Sequence, residues 1–220
     1  MHHCKAYQQS DEMVCTQCGL RWDVNDPEPP KCQPRREPLV RLIGLSGAAG
    51  SGKSTAAQYL QDAHRYQRRR FAQPLKDALR RILQGALVDD HTIERMIEGD
   101  LKETPATVLL GKTPREAMQT LGTEWGRHCI GDDFWVNLMR HALDTSKRGS
   151  LIVIEDVRFD NEAALIRAYG GKIIRMEGRG GITGVHVSEK GVEPDLTCYN
   201  GGSITETHRW FDYVLGFTTS

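Results

Sequence analysis

At 220 residues the chain is long enough for one sizeable domain and a small appendage. Lysine plus arginine and aspartate plus glutamate both number 29, so the formal net charge is zero and no global basic field points to a nucleic-acid partner. No apolar run approaches the length of a membrane span, and the first residues lack the apolar core of a secretory signal, so a cytoplasmic protein with no membrane partner is expected.

Composition changes sharply near residue 36. Residues 1–38 are polar and rich in cysteine, histidine and proline, ending in a Pro27–Pro38 stretch too proline-dense for a helix or a central strand. The expected organisation is a Cys-rich module with a stiff tether over 1–35 and a main domain over 39–220. Four of the six cysteines lie in the first 32 residues, and in a reducing compartment such clustering favours metal over disulfide. Cys15-Thr16-Gln17-Cys18-Gly19 is a C-x-x-C-G turn in which two thiolates can face one ion. Cys4 and Cys32 are the natural third and fourth ligands of a tetrahedral, structural Zn²⁺ site, and His2 or His3 could replace Cys4. Leu20 and Trp22 would form a minimal core, with metal supplying the folding energy. A redox C-x-x-C is the competing reading, without a surrounding βαβ pattern to support it; unliganded thiols are the plainest. Cys129 and Cys198 stand alone and are expected to be small buried apolar side chains.

From residue 39 strands alternate with helices. Leu39–Leu45 reads as a buried strand. It runs into Gly47-Ala48-Ala49-Gly50-Ser51-Gly52-Lys53-Ser54, which fits G-x-x-x-x-G-K-[ST] at every fixed position, and then into a helix over Lys53–Ala63. Strand, Gly-rich turn and helix N-terminus together make an anion site. In it Lys53 would reach the β/γ-phosphates of a nucleoside triphosphate, and the Ser54 hydroxyl would bind Mg²⁺. Arg68–Ala72 follows as a strand, with Arg68, Arg69 and Arg70 expected as solvated edge-strand residues that limit aggregation. Helices are expected over Leu75–Gln84, His91–Glu98, Pro114–His128 and Phe134–Asp144. With no strand candidate between residues 75 and 145, this stretch is expected as an insertion over the strand C-termini.

Within it, Thr113, Pro114 and Glu116 suit the N-cap, N1 and N3 positions of a capping box. Arg115, Gln119 and Thr123 recur at four-residue spacing, giving a stripe of one cation and two hydrogen-bonding groups suited to a nucleotide monophosphate. Leu151–Glu155 is an apolar strand ending in acids, and Asp156 is expected to accept from Ser54 or to hold a metal-bound water; the plainer reading is an exposed loop acid before a helix with Asp160 as N-cap. A helix over Asn161–Tyr169 ends at Gly170-Gly171. Strands over Lys172–Met176 and Leu196–Tyr199 and a helix over Ser203–Phe211 complete a five-stranded, mainly parallel α/β sheet covered on both faces. Arg115, Arg127, Arg158 and Arg179 sit at element edges, where guanidinium groups could gather phosphate. Arg179 lies in a Gly-rich loop, Gly178–Gly184, suited to a lid.

The ordered set of segments resembles the bacteriophage-type deoxynucleoside monophosphate kinases. It comprises Gly47–Ser54, Phe71-Ala72-Gln73-Pro74-Leu75-Lys76-Asp77-Ala78-Leu79, Arg115–Trp125, Asp133-Phe134-Trp135-Val136, Asp156-Val157-Arg158 with Glu162, His186-Val187-Ser188-Glu189, Asp195 and Asn200-Gly201-Gly202-Ser203. The resemblance covers residues 39–215 and implies a three-layer P-loop kinase sandwich that transfers the ATP γ-phosphoryl group to a dNMP. It implies that Gly50, Gly52, Lys53, Ser54 and Thr55 hold the donor phosphates, with Gly47 and Ser51 as further candidates from the same loop. It places Leu75, Lys76, Lys102, Arg115, Gln119, Gly122 and Trp135 around the acceptor. Asp156, Arg158 and Glu162 then form the acidic strand end with its following turn, and Arg179 the lid. It also implies a homodimer, and says nothing of the Cys-rich module. Another small-molecule P-loop kinase, or a nucleotide-sensing zinc and nucleic-acid-binding regulator, are the alternative readings.

Overall fold

The computed structural model describes residues 6–9, 12–15, 21–25, 41–178 and 191–217. The chain divides into two compact units, Val40–Phe211 and a smaller one comprising Met1–Leu39 with Asp212–Ser220.

In the smaller unit, β1 (Ala6–Gln9), β2 (Glu12–Cys15) and β3 (Arg21–Asp23) form an antiparallel sheet in that order, with Tyr7 opposite Val14 and Met13 opposite Trp22. Cys15 closes β2. Cys4, Cys18, Cys32, His2, His3 and Leu20 lie outside the described residues.

The larger unit is built on five parallel strands: β4 (Leu42–Ser46), β5 (Gln67–Arg69), β6 (Ile152–Ile154), β7 (Lys172–Glu177) and β8 (Leu196–Tyr199). Their spatial order is β5-β6-β4-β7-β8. β4 is buried at every position, as a central strand covered on both faces must be. From β4 the chain moves through helix α1 (Lys53–His64) to β5 on one side; from β6 it moves through α6 (Asp160–Ala168) to β7 on the other. Right-handed crossovers in opposite directions place these helices on opposite faces. The adjacent ends of β4 and β6 are thus the point where the connections diverge, the position at which sheets of this kind bind ligands. Gly44, in mid-β4, permits the α6 packing: a Cβ there would lie 2.6 Å from Ile166 Cδ1 and 2.9 Å from Val157 Cγ2.

Between β5 and β6 lie α2 (Gln73–Gly85), α3 (Asp90–Ile97), short 3-10 turns, α4 (Pro114–Thr120), a π-helical segment Leu121–Ile130 and α5 (Phe134–Asp144). The insertion has its own core of Leu79, Leu83, Ile93, Met96, Ile97 and Met118. The Thr113 capping box forms as expected: Thr113 accepts from Glu116 N–H at 3.1 Å and Glu116 accepts from Thr113 N–H at 2.8 Å. The single helix expected over Pro114–His128 does not continue. After Thr120 it widens to π winding, because the Gly122 carbonyl accepts the Trp135 indole N–H at 2.8 Å and the ring lies where a Gly126 Cβ would be, 2.4 Å from Nε1.

Two further expectations are corrected. Arg68–Arg70 do lie along the edge strand β5 and just beyond it, yet they are turned inward onto polar partners rather than solvated. Cys198 is buried, its thiol pushed up to about 11 by desolvation, but Cys129 is exposed. Asp160 is the first residue of α6; Phe159 precedes the helix as its cap position, and Gly170 (φ 73°) takes the left-handed conformation after the helix. Among the described residues no helix is long and apolar enough to cross a membrane.

Candidate active site

The loop from Gly47 to Ser54 leaves the buried end of β4 and enters α1 through Gly52. Gly47 and Gly52 have φ of 129° and 90°, values that favour glycine, and space is equally restrictive. A Cβ on Gly47 would lie 2.5 Å from the Met176 carbonyl oxygen; one on Gly52 would lie 2.5 Å from Asn200 Nδ2. That Asn200 amide donates to the Ser51 carbonyl, so the residue after β8 pins the loop from behind. Lys53 curls back along the loop, its ammonium donating to Gly47 O at 2.8 Å and Ala48 O at 2.6 Å. Burial and the nearby Arg158 charge lower its pKa, while Asp156 and Glu155 oppose the shift. Ser54 and Thr55 are exposed on the first turn of α1, which carries no acidic side chain.

Asp156 follows β6. Its carboxylate does not reach toward Ser54; its two oxygens accept the N–H groups of Phe71 (2.8 Å) and Ala72 (3.0 Å). Burial raises its pKa, against those two donors and Arg158. The acid therefore ties the entry of α2 to the strand ends. Its neighbour Glu155 is buried and accepts from Arg68 at 2.8 and 3.1 Å and from Arg70 Nε. Desolvation would raise the Glu155 pKa, but the two guanidinium groups outweigh it and the net shift is downward.

Three of the cations expected around the acceptor share one neighbourhood. Lys76 on α2 donates to both Glu98 oxygens, at 2.8 and 2.9 Å. Arg115 on α4 pairs with Glu103. Lys102, in the 3-10 turn Asp100–Glu103, has its pKa lowered first by desolvation and then by the charges of Lys76 and Arg115. Leu75 joins Gly122, its Cδ2 3.4 Å from where a Gly122 Cβ would be. Arg115, Gln119 and Thr123 are all exposed, but Thr123 belongs to the π segment, so the four-residue stripe holds only from Arg115 to Gln119.

A family profile for deoxynucleotide monophosphate kinase matches residues 108–209. A protein of Acanthamoeba polyphaga mimivirus, named "Putative deoxynucleotide monophosphate kinase", is 37% identical over 181 residues, covering 75% of this chain and 91% of its own length. The chain belongs to the deoxynucleotide monophosphate kinase family. Its activity is phosphoryl transfer from ATP to a deoxynucleoside monophosphate, giving the diphosphate. A solved structure, that of TT1252 from Thermus thermophilus, aligns with a TM-score of 0.45 at 16% identity, covering 81% of this chain and 98% of that one.

In the kinase, Trp135 is buried, 5% exposed, and packs edge-on against Phe134 beneath the π segment. Arg158 is exposed, and its backbone N–H donates to Glu162 at 2.8 Å. Glu162 accepts also from Phe159 N–H at 3.2 Å and from Arg127 at 3.1 Å, and the Arg127 guanidinium lies 3.9 Å from the Phe159 ring centroid. Both Glu162 oxygens are therefore engaged in holding the turn that presents Arg158. Arg179 lies outside the described residues. The Asn200 tether and the Glu155 and Glu98 ion pairs were not foreseen as partnerships. The adjoining acids Glu155-Asp156 were the available signal for one of them, and nothing local signalled the others.

Burial raises the Glu162 pKa to about 7, against the pull of its donors. Because the folded pKa exceeds the unfolded one, this group's stabilising contribution is full below about pH 4.5 and is lost as pH rises through 7. Between pH 5 and 8 the kinase should lose about 2–3 kcal/mol more stability than its Glu162→Gln variant. Denaturant unfolding of both proteins at the two pH values checks this; equal losses would show that Glu162 is ionised throughout.

Proposed function

We propose that the kinase uses the Gly47–Thr55 loop, with Gly50, Ser51, Gly52 and Ser54, to hold the donor phosphates. Lys53 would uncurl from the loop carbonyls onto the β/γ-phosphates of ATP. Lys76, Lys102, Arg115 and Gln119 would receive the dNMP, with Leu75, Gly122 and Trp135 forming its apolar wall. The observation that carries this reading is the Asp156 tether: it joins the entry of α2, and hence Lys76, to the strand end beside the phosphate loop. Two phosphates of opposite origin could meet there.

The acceptor oxygen is already ionised at neutral pH, so no strong general base is required. Rate enhancement comes from positioning and charge compensation by Lys53, Arg158 and Arg179. Mg²⁺ fits the donor set. Ser54 offers an exposed hydroxyl and the ion takes most of its ligands from phosphate and water, while both Asp156 oxygens are already held by backbone N–H groups. Bound there, Mg²⁺ would neutralise charge developing on the transferred group. Asp156 would keep the α2 entry in place, and Glu162 would hold Arg158.

For the smaller unit we propose a structural Zn²⁺ site formed by Cys4, Cys15, Cys18 and Cys32. Its support is the C-x-x-C-G spacing and the position of Cys15 at the end of β2. Among the described residues no group of three or more potential ligands is assembled. Zinc analysis of the whole protein, purified without chelator, tests the site.

The catalytic reading is tested with metal-replete protein, ATP and each dNMP and NMP in turn. Turnover of at least one dNMP, with lower kcat/KM for the matching ribonucleotide, is expected. Equal turnover of a dNMP by an Arg115→Ala, Gln119→Ala double variant would remove those residues from the acceptor site.

A further inference from the structure

Glu98 stands at the C-cap of α3, where a carboxylate faces the negative end of the helix dipole. An acid placed against the local rule needs a compensating partner, and Glu98 has three. Its Oε1 and Oε2 take the Lys76 ammonium at 2.8 and 2.9 Å, Oε1 takes Arg70 Nη1 at 3.0 Å, and Arg80 Nη2 lies 3.8 Å away. A small anion chelated by a lysine and flanked by arginines reproduces the charge pattern of a bound phosphate.

The partners are not equally dependent on it. Arg70 also holds the buried Glu155, and Arg80 also holds Glu94 at 2.6 Å and Asp77 at 2.9 Å. Lys76, with only 12% of its side chain exposed, has Glu98 as its one hydrogen-bonded carboxylate among the described residues, the Glu94 charge acting on it from farther off. If the Glu98 carboxylate swings away, both arginines keep a counter-ion. Lys76, mostly buried, then loses its only hydrogen-bonded counter-ion among the described residues and is open to whatever anion arrives. Glu98 itself is a third exposed, so it can leave toward water without burying its charge.

We propose that Glu98 is an internal stand-in for the acceptor phosphate, holding Lys76 and Arg70 in place until a dNMP displaces it. Arg70 thereby joins the acceptor site as a phosphate-facing residue. The proposal rests on the reading that Lys76 faces the acceptor. The device keeps the cations ordered before the acceptor arrives, and makes each acceptor phosphate compete with a tethered carboxylate.

The test compares the wild-type kinase with Glu98→Gln, which keeps shape and removes charge. The KM for dNMP should fall roughly threefold to tenfold, as expected for removing one ionic competitor, and the KM for ATP should stay unchanged. Inorganic phosphate, assayed as a competitor of dNMP, should inhibit the variant at correspondingly lower concentration. A KM for dNMP that is unchanged or raised overturns the proposal. Glu98→Asp, with the charge retained on a shorter reach, should give an intermediate KM and decides the matter if Glu98→Gln fails to fold; an unchanged value there overturns it too. Lys76→Met separates the two layers of argument. If it leaves the KM for dNMP unaltered, the acceptor assignment fails, and the stand-in with it. If it raises that KM while Glu98→Gln does not lower it, the assignment stands and the stand-in alone falls.

Discussion

Lys53→Ala is expected to lower kcat for dNMP phosphorylation by about 10²–10³-fold, the range for losing one preorganised charge donor at a transferring group. The ammonium sits inside the loop, donating to the Gly47 and Ala48 carbonyls, beside the position proposed for the donor phosphates. Truncation also removes those two bonds, but the loop has independent support. Asn200 holds Ser51, and Gly47 and Gly52 fit against Met176 and Asn200 with no room for a side chain. Stability should therefore fall by only about 1–3 kcal/mol, the net worth of two hydrogen bonds. Steady-state kinetics at saturating ATP, together with a thermal melt, checks both halves. A near-wild-type kcat would take Lys53 out of catalysis, and a collapsed melt would show that the lysine is a structural clamp.

Trp135→Ala is expected to cost about 3–5 kcal/mol of stability, as for other buried aromatic truncations. The ring fills the space left by Gly126, packs with Phe134 and spends its N–H on the Gly122 carbonyl, so its loss empties a cavity and frees a polar group together. The indole is hydrogen-bonded into the π-wound segment 121–130, so the stretch carrying Gly122 should rewind or fray. Denaturant unfolding measures the first effect. The milder Trp135→Phe separates packing from acceptor recognition: if the indole positions Gly122 for the sugar, the phenylalanine variant should raise the KM for dNMP and narrow the preference over NMP. A fully unchanged dNMP/NMP preference in that variant would leave Trp135 as core alone.

The legible parts of this protein are those whose determinants are local. The phosphate loop carries its own backbone instructions in three glycines and a lysine. Thr113-Pro114-Arg115-Glu116 closes its capping box within four residues. The helix Phe134–Asp144 and the strand Leu196–Tyr199 have the bounds their hydrophobic patterns indicate. The alternation of apolar strands with helical periods likewise determined a parallel sheet, because parallel strands need crossovers and crossovers here are helices.

Where the partner is distant in sequence, the pattern is silent or misleading. Arg68 and Arg70 look like solvated edge residues because nothing near them is acidic; their counter-ion, Glu155, lies more than eighty residues away and meets them only when β5 pairs with β6. Asp156 has the position of a metal-facing acid, yet the fold presents it with two backbone donors from the α2 entry. Glu98 reads as an ordinary helix-end residue until α2 sets Lys76 and Arg80 against it. Leu121–Ile130 has a helical period, and only the arrival of Trp135 from the next helix widens it. Sequence by itself determined the glycine-rich turn between strand and helix and the alternation of parallel strands with helices, since both follow from neighbouring residues. The tertiary structure alone decided which charges meet, because an ion pair in a buried crevice is set by which strands and helices converge there, not by the spacing along the chain.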